Sequence, residues 1–413
     1  MNKKLLVLAL AAGFAVPALA DVTISGTYNA GPFFGRSNDS TATANAPTAA
    51  LGGYGVNGGS AVGITSNYSN FNLASTEDLG NGLKVVFNYQ FDASNTGAPI
   101  QTAGSASLRS RNSFLGLMGA WGAVKVGSNE HIYEQLLYKS DPLDGAAGVG
   151  GNLNMMGTPG GNVFTNVNCT LAGGGGCAQF YRRTENSIWY DSPDIGGFTF
   201  SAAWGLPNKN FGNPTTVAGT PKQSASVYSI GGKFAPADLP FYVDAAYERH
   251  SDYNGMSQIA TNTYAGATPT NTTDTGLQVG GGVMFGDLTV GARFEQLKYK
   301  ADGVVNGFAE WKRNAVNVTA KYGLPTGYIG AQFVIASDAK TKTAGTETFN
   351  GNKTGASYFA AGYYHNLSKQ TQAQFVLSFL RNKDNANYIN IGQPAGGRGT
   401  DSTAFYVGLK HSF

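Results

Sequence analysis

Hydrophobic and polar residues take turns along most of this chain with a period of two. At the carboxyl end Phe405, Val407, Leu409, His411 and Phe413 share one face, and Tyr406, Gly408, Lys410 and Ser412 share the other. From Leu83 to Asp92 the apolar Leu83, Val85, Phe87, Tyr89 and Phe91 again alternate with Lys84, Val86, Asn88, Gln90 and Asp92. The same parity runs through Val22 to Ala30, Phe198 to Gly205, Val316 to Tyr322 and Ala373 to Phe379, with Asn317, Thr319, Lys321, Gln374 and Ser378 on the polar side. A helix would need a period of 3.6, which these stretches lack. They predict β-strands with one greasy and one wet face.

The connections between these strands alternate in length. Short ones, rich in Gly, Pro, Asp and Asn, fall near 78–82, 119–122, 193–197, 235–240, 286–287, 323–327 and 366–371. Long ones fall near 32–66, 93–108, 128–183, 206–224, 251–275, 300–313, 337–355 and 382–401. Fifteen connections join sixteen strands, which puts both ends of the chain on the side of the short turns. That is the plan of an antiparallel transmembrane β-barrel, with short periplasmic turns and long extracellular loops. Aromatic residues flank the short turns, as Tyr190 with Phe198, Phe234 with Phe241, and Tyr322 with Tyr328 do. They predict a girdle at the membrane boundary, where an apolar ring with a polar tip is satisfied. A β-sandwich core would supply aromatics too, but would not need strict alternation of long and short connections.

Composition adds a compartment. Lys3 and Lys4 precede an apolar run from Leu5 to Val16, and Ala18-Leu19-Ala20 follows, so residues 1–20 are expected to be a cleaved export signal. Residues 21–413 are then one barrel beginning at Asp21. No later apolar stretch is long enough for a membrane helix, yet a mean hydropathy of −0.17 suits a barrel strand that is greasy only at alternate positions. Without the two signal lysines the charges nearly balance, which argues against a nucleic-acid partner. The four histidines are scattered, no GxSxG motif is present, and the glycine runs lack the strand-to-helix context of a phosphate loop. The expectation is a protein with no enzymatic activity, no cofactor and no metal. Cys169 and Cys177 flank TLAGGGG in an oxidising compartment, where a disulfide contributing about 2 to 3 kcal/mol is the default. A metal site is the alternative, but no histidine lies near the pair.

Several blocks occur in a telling order. Thr76 to Lys84 reads TEDLGNGLK and continues VVFNYQF; Arg111 to Leu117 reads RNSFLGL; Asn186 to Phe198 reads NSIWYDSPDIGGF; His365 to Thr371 reads HNLSKQT; and the chain ends VGLKHSF. Together they resemble the general bacterial porins, particularly the β-proteobacterial type. The resemblance implies a homotrimer of sixteen-stranded barrels in the outer membrane, among its lipid and lipopolysaccharide, passing ions and small hydrophilic solutes by passive diffusion. It also implies a third extracellular loop folded inward, and a terminal Phe413 read by the barrel-assembly machinery.

That loop corresponds to 128–183, the longest connection. It carries Glu130, Glu134, Asp141 and Asp144, and in the family such acids face basic residues of the wall. Here the wall is thinned: Asn70, Ala74 and Ser128 stand where relatives usually have cations, while Arg111 is kept. Arg109, Lys84 and Lys125 are candidate replacements, the last two by their inward parity. Fewer wall cations with the acids kept would lessen anion selectivity, toward a weak preference for cations. Trp189, Tyr133, Tyr138 and Tyr181 are candidates for a surface on which aromatic or sugar solutes stack.

Overall fold

The computed structural model describes residues 21–38, 59–93, 109–144, 148–160, 179–181, 183–205, 226–251, 271–304, 307–345, 351–390 and 398–413. The chain is an all-β closed barrel of sixteen antiparallel strands. Its segments are β1 (Asp21–Ser37), β2 (Gly59–Ser66), β3 (Asn70–Gly80), β4 (Leu83–Asp92), β5 (Arg109–Gly119), β6 (Gly122–Glu130), β7 (Arg183–Asp191), β8 (Phe198–Gly205) and β9 (Ser226–Phe234). They continue as β10 (Phe241–Ser251), β11 (Asn271–Phe285), β12 (Leu288–Asp302), β13 (Gly307–Leu324), β14 (Gly327–Ala336), β15 (Lys340–Ala344), β16 (Ala356–Asn366), β17 (Thr371–Asn382) and β18 (Ser402–Ser412). Segments β2 and β3 both pair with β1, and β14 and β15 both pair with β13, so each couple is one interrupted wall strand.

The barrel closes where β1 pairs with β18. The last residue completes that seam: the Phe413 N–H donates to the Gly26 carbonyl at 3.1 Å, and the Gly26 N–H donates to the Phe413 carbonyl at 3.0 Å. The alternation read from sequence is the alternation observed. Val22, Ile24, Val62, Ile64, Leu115, Leu117, Val316, Val318, Phe405 and Leu409 are exposed on the outside, while Asn29, Asn317, Gln374 and Ser378 are buried within. Aromatics exposed at the short-turn end include Phe198, Phe234, Phe285 and Tyr322.

Some strands run further than the pattern suggests. β1 reaches Ser37, β12 reaches Asp302, and β15 adds Lys340–Ala344. These extensions carry outward-facing Arg36, Lys300 and Lys342, because a strand that rises above the hydrocarbon has no reason to stay apolar on its outer face.

The described part of the connection after β6, residues 131–144, 148–160 and 179–181, folds into the barrel. It contains helix α1 (Ile132–Lys139) and a short 3-10 turn at Asn152–Asn154. Ile132, Tyr133, Leu136 and Leu137 of α1 are buried with Leu143, Val149, Leu153, Met155, Met156 and Phe180, against Leu297, Tyr299, Trp311, Val334, Tyr358, Tyr364 and Val376 of the wall. Burying a leucine side chain is worth roughly 1.5 to 3 kcal/mol, so this face holds the loop against β9 to β17.

Candidate pore constriction

Glu130 is the last residue of β6, so it belongs to the wall and not to the loop as the sequence suggested. A register shift between Gly127 and Asn129 turns the end of this strand inward. Only glycine fits there, since Gly127 has φ of +142° and a Cβ on it would meet the Ser113 carbonyl oxygen at 2.2 Å. Glu130 therefore does not face Arg111 across open water; it touches it. The Arg183 guanidinium is hydrogen-bonded to the Glu130 carboxylate, and Arg111 lies 3.6 Å from Glu130 and 3.6 Å from Asp92. Arg111 also sits 4.5 Å from the centroid of the Tyr68 ring, which lies 6.4 Å from that of Tyr138.

Glu134 is one turn further on, buried in α1, with one carboxylate oxygen lacking a hydrogen-bond partner among the described residues. Burial first, and the neighbouring Glu130 second, push its carboxyl up to about 8.

Asp141 and Asp144 are placed elsewhere. Asp141 is buried and braces the loop, accepting from the Leu143 N–H at 2.9 Å, the Asn152 N–H at 3.2 Å and the Gln332 side-chain amide at 3.3 Å. Asp144 is exposed, accepts from the Tyr328 hydroxyl at 3.2 Å and lies 3.8 Å from the Lys410 ammonium. Tyr328 in turn stacks on Tyr364 with 4.4 Å between centroids and carries the Lys321 ammonium 3.9 Å above its ring.

Of the basic candidates, Lys125 points inward between the outward Val124 and Val126 but is paired with Asp191 at 2.9 Å. Lys84 stands opposite Asp78 in register, on the inner face. Arg109 pairs through its backbone with Asp92, and its side chain lies outside the described set, as do Cys169 and Cys177. The stacking surface is not assembled, since Tyr133 and Trp189 are fully covered by protein, Tyr133 against Phe180 and Trp189 against Phe114.

The anchors of the loop were missed by the sequence reading. Glu295 on β12 pairs with Arg313 on β13 at 2.8 Å, accepts from the Tyr133 hydroxyl at 3.0 Å, and accepts from the Gly157 N–H at 2.8 Å. Arg313 donates to the carbonyls of Thr158 at 2.7 Å and Met155 at 2.8 Å, and the Trp311 indole donates to the Pro159 carbonyl at 2.9 Å. Beside them Arg293 pairs with Asp244 at 2.7 Å, and Glu248 lies between His250 at 2.9 Å and His131 at 3.7 Å. All of these wall residues sit at inward parity on β10, β12 and β13, the one signal by which the sequence could have shown them.

Among the described residues no group of His, Cys, Asp and Glu could hold a metal ion. What the interior offers is fixed charge on its inner wall and on the inserted loop, which acts on ions and dipoles by Coulomb attraction and repulsion at short range. A closed barrel with an apolar outside, a polar inside and an inserted loop defines a membrane diffusion channel. The family model described as Gram-negative porin matches residues 6–385, and the chain belongs to that family. Among its relatives, outer membrane porin protein 32 of Delftia acidovorans is 28% identical over 425 residues, covering 100% of both chains. Among solved structures, the anion-selective porin from Comamonas acidovorans superposes with a TM-score of 0.67 at 21% identity, over 95% of this chain and 100% of that one. The trimer form of OmpT from Vibrio cholerae gives 0.56 at 14% identity, over 95% and 99%. The protein is thus an outer-membrane channel for passive diffusion of ions and small hydrophilic solutes, and not an enzyme.

Proposed function

We propose that this channel is narrowed by its folded-in loop, through residues 131–144, 148–160 and 179–181, and that its selectivity is a weak preference for anions. The observation that carries this is how the interior acids are held. Glu130 is matched by Arg111 and Arg183, Asp191 by Lys125, Asp244 by Arg293 and Glu295 by Arg313. Asp141 is spent on bracing the loop. By contrast, among the described residues no carboxylate lies within ion-pair distance of Lys233 or Lys321, which face inward near the short-turn end of β9 and β13, and Lys84 faces inward on β4 with Asp78 opposite it in register. The sign is opposite to the one expected from the thinned wall, because counting acids by position gives no weight to their partners.

A zero-current potential measured across a salt gradient tests this. The wild type should favour the anion, and the triple replacement Lys84→Gln, Lys233→Gln and Lys321→Gln should move the potential toward the cation. A cation preference in the wild type would overturn the reading.

We further propose that residues 1–20 are removed on export, that Phe413 is read by the barrel-assembly machinery, and that the barrels associate as homotrimers in contact with lipopolysaccharide. The trimeric neighbour and the exposed terminal ring support this. Cross-linking of intact cells that yields only monomer would remove the trimer.

A further inference from the structure

Strand register places an uncommon set of charges on the outside of the barrel. Arg249 lies opposite Thr275, Thr275 opposite Lys298, Lys298 opposite Lys312, and Lys312 opposite Lys340, one row running from β10 to β15. In the next row toward the long connections, Thr273 lies opposite Lys300, Lys300 opposite Glu310, and Glu310 opposite Lys342. These side chains point outward, since Tyr299, Ala301, Trp311 and Arg313 between them are buried inside.

Like charges directly opposite each other on a sheet repel, so Lys298, Lys312 and Lys340 in one row work against the barrel when nothing sits on them. The acid within the patch is Glu310, 3.5 Å from Lys298 and 3.4 Å from Lys342, with Asp302 at its edge. Six cations therefore face outward around two acids. Toward the membrane the next outward row is Tyr247, Leu277, Gln296 and Asn314, and the row after it holds the exposed Val279, Phe294, Val316 and Ile335. The basic rows thus stand at the upper margin of the lipid-facing band, where an outer-leaflet headgroup lies.

We propose that this face docks the phosphorylated headgroup of the outer-leaflet glycolipid, lipopolysaccharide, through Arg249, Lys298, Lys300, Lys312, Lys340 and Lys342. The inference gives residues to the lipopolysaccharide contact proposed above and rests on it. Phosphate on a lipid anchored below fits both observations, because its charge quiets the lysine row while its acyl chains continue along the apolar band. A soluble anion would use the charge alone.

Native mass spectrometry of the purified protein with bisphosphorylated lipid A tests the proposal. The wild type should retain lipid A, the triple variant Lys298→Gln, Lys312→Gln and Lys340→Gln should lose affinity by about tenfold or more, and Arg36→Gln on β1 should bind as the wild type does. Dephosphorylated lipid A should be retained poorly, and inorganic phosphate at equal concentration should not compete. Equal retention by the triple variant, equal binding of the dephosphorylated lipid, or displacement by inorganic phosphate would each overturn it. Channel conductance of the same preparations keeps the readings apart, since the triple variant should conduct as before. Should the triple variant not fold, Lys312→Gln alone is expected to show the same direction of change, and wild-type affinity in it would count against the site.

Discussion

Glu134 shows how far a single side chain can depart from what its type suggests. Its carboxyl, buried in α1 beside Glu130, is raised from the ordinary value of 4.5 to about 8, so at neutral pH it keeps its proton while the helix is docked. When the helix opens to water it ionises, and docking weakens as pH rises from about 4.5 to 8, with a slope of about 1.4 kcal/mol per pH unit as an upper bound. Glutamine mimics the protonated acid. Glu134→Gln should therefore match the wild type at pH 4 and protect the α1 amides from hydrogen exchange progressively better toward pH 8. Identical protection profiles across that range would show that the carboxyl is hydrated in place. A second residue, Glu295, holds three groups at once, and removing it strands Arg313 in a buried site. Glu295→Ala should lower the stability of the docked loop by about 3 to 5 kcal/mol, read as lost exchange protection across 148–157. Unchanged protection there would mean that apolar packing alone holds the loop.

At the scale of elements, the loop works as a small hydrophobic core built against a barrel wall. Leu137 is fully buried in it, and Leu137→Ala should cost about 2 to 5 kcal/mol of docking energy. Single channels of that variant should be larger and noisier than those of the wild type, and an unchanged, quiet channel would show that the loop does not narrow the passage. The strands of this assembly were legible in sequence because alternation is forced on each by lipid on one side and water on the other. Helix α1 and its anchors were not. Tyr133 and Leu136 look like loop residues until the inward faces of β10, β12 and β13 are known to oppose them. The partners of Asp141 are spread from Leu143 to Gln332, a separation no local pattern encodes. Glu130 was misjudged by one strand end, since a bulge made possible by Gly127 moves it to the wall.

For the whole molecule, the strand number and the side on which the chain ends lie followed from the alternation of short and long connections. The loops were read too long where strands continue beyond the hydrocarbon, because β12 and β15 give up their apolar outer face there. The interior electrostatics needed the fold, since which acids are neutralised depends on cross-strand neighbours such as Arg293 with Asp244. The central claim is that a polar-lined, closed barrel with one loop folded inside leaves an aqueous passage across the membrane. Current recorded through planar bilayers holding the purified, folded protein tests it most directly. Discrete, ohmic conductance steps at low voltage are the expected result, whereas a membrane that stays electrically silent with the folded protein inserted would contradict the account.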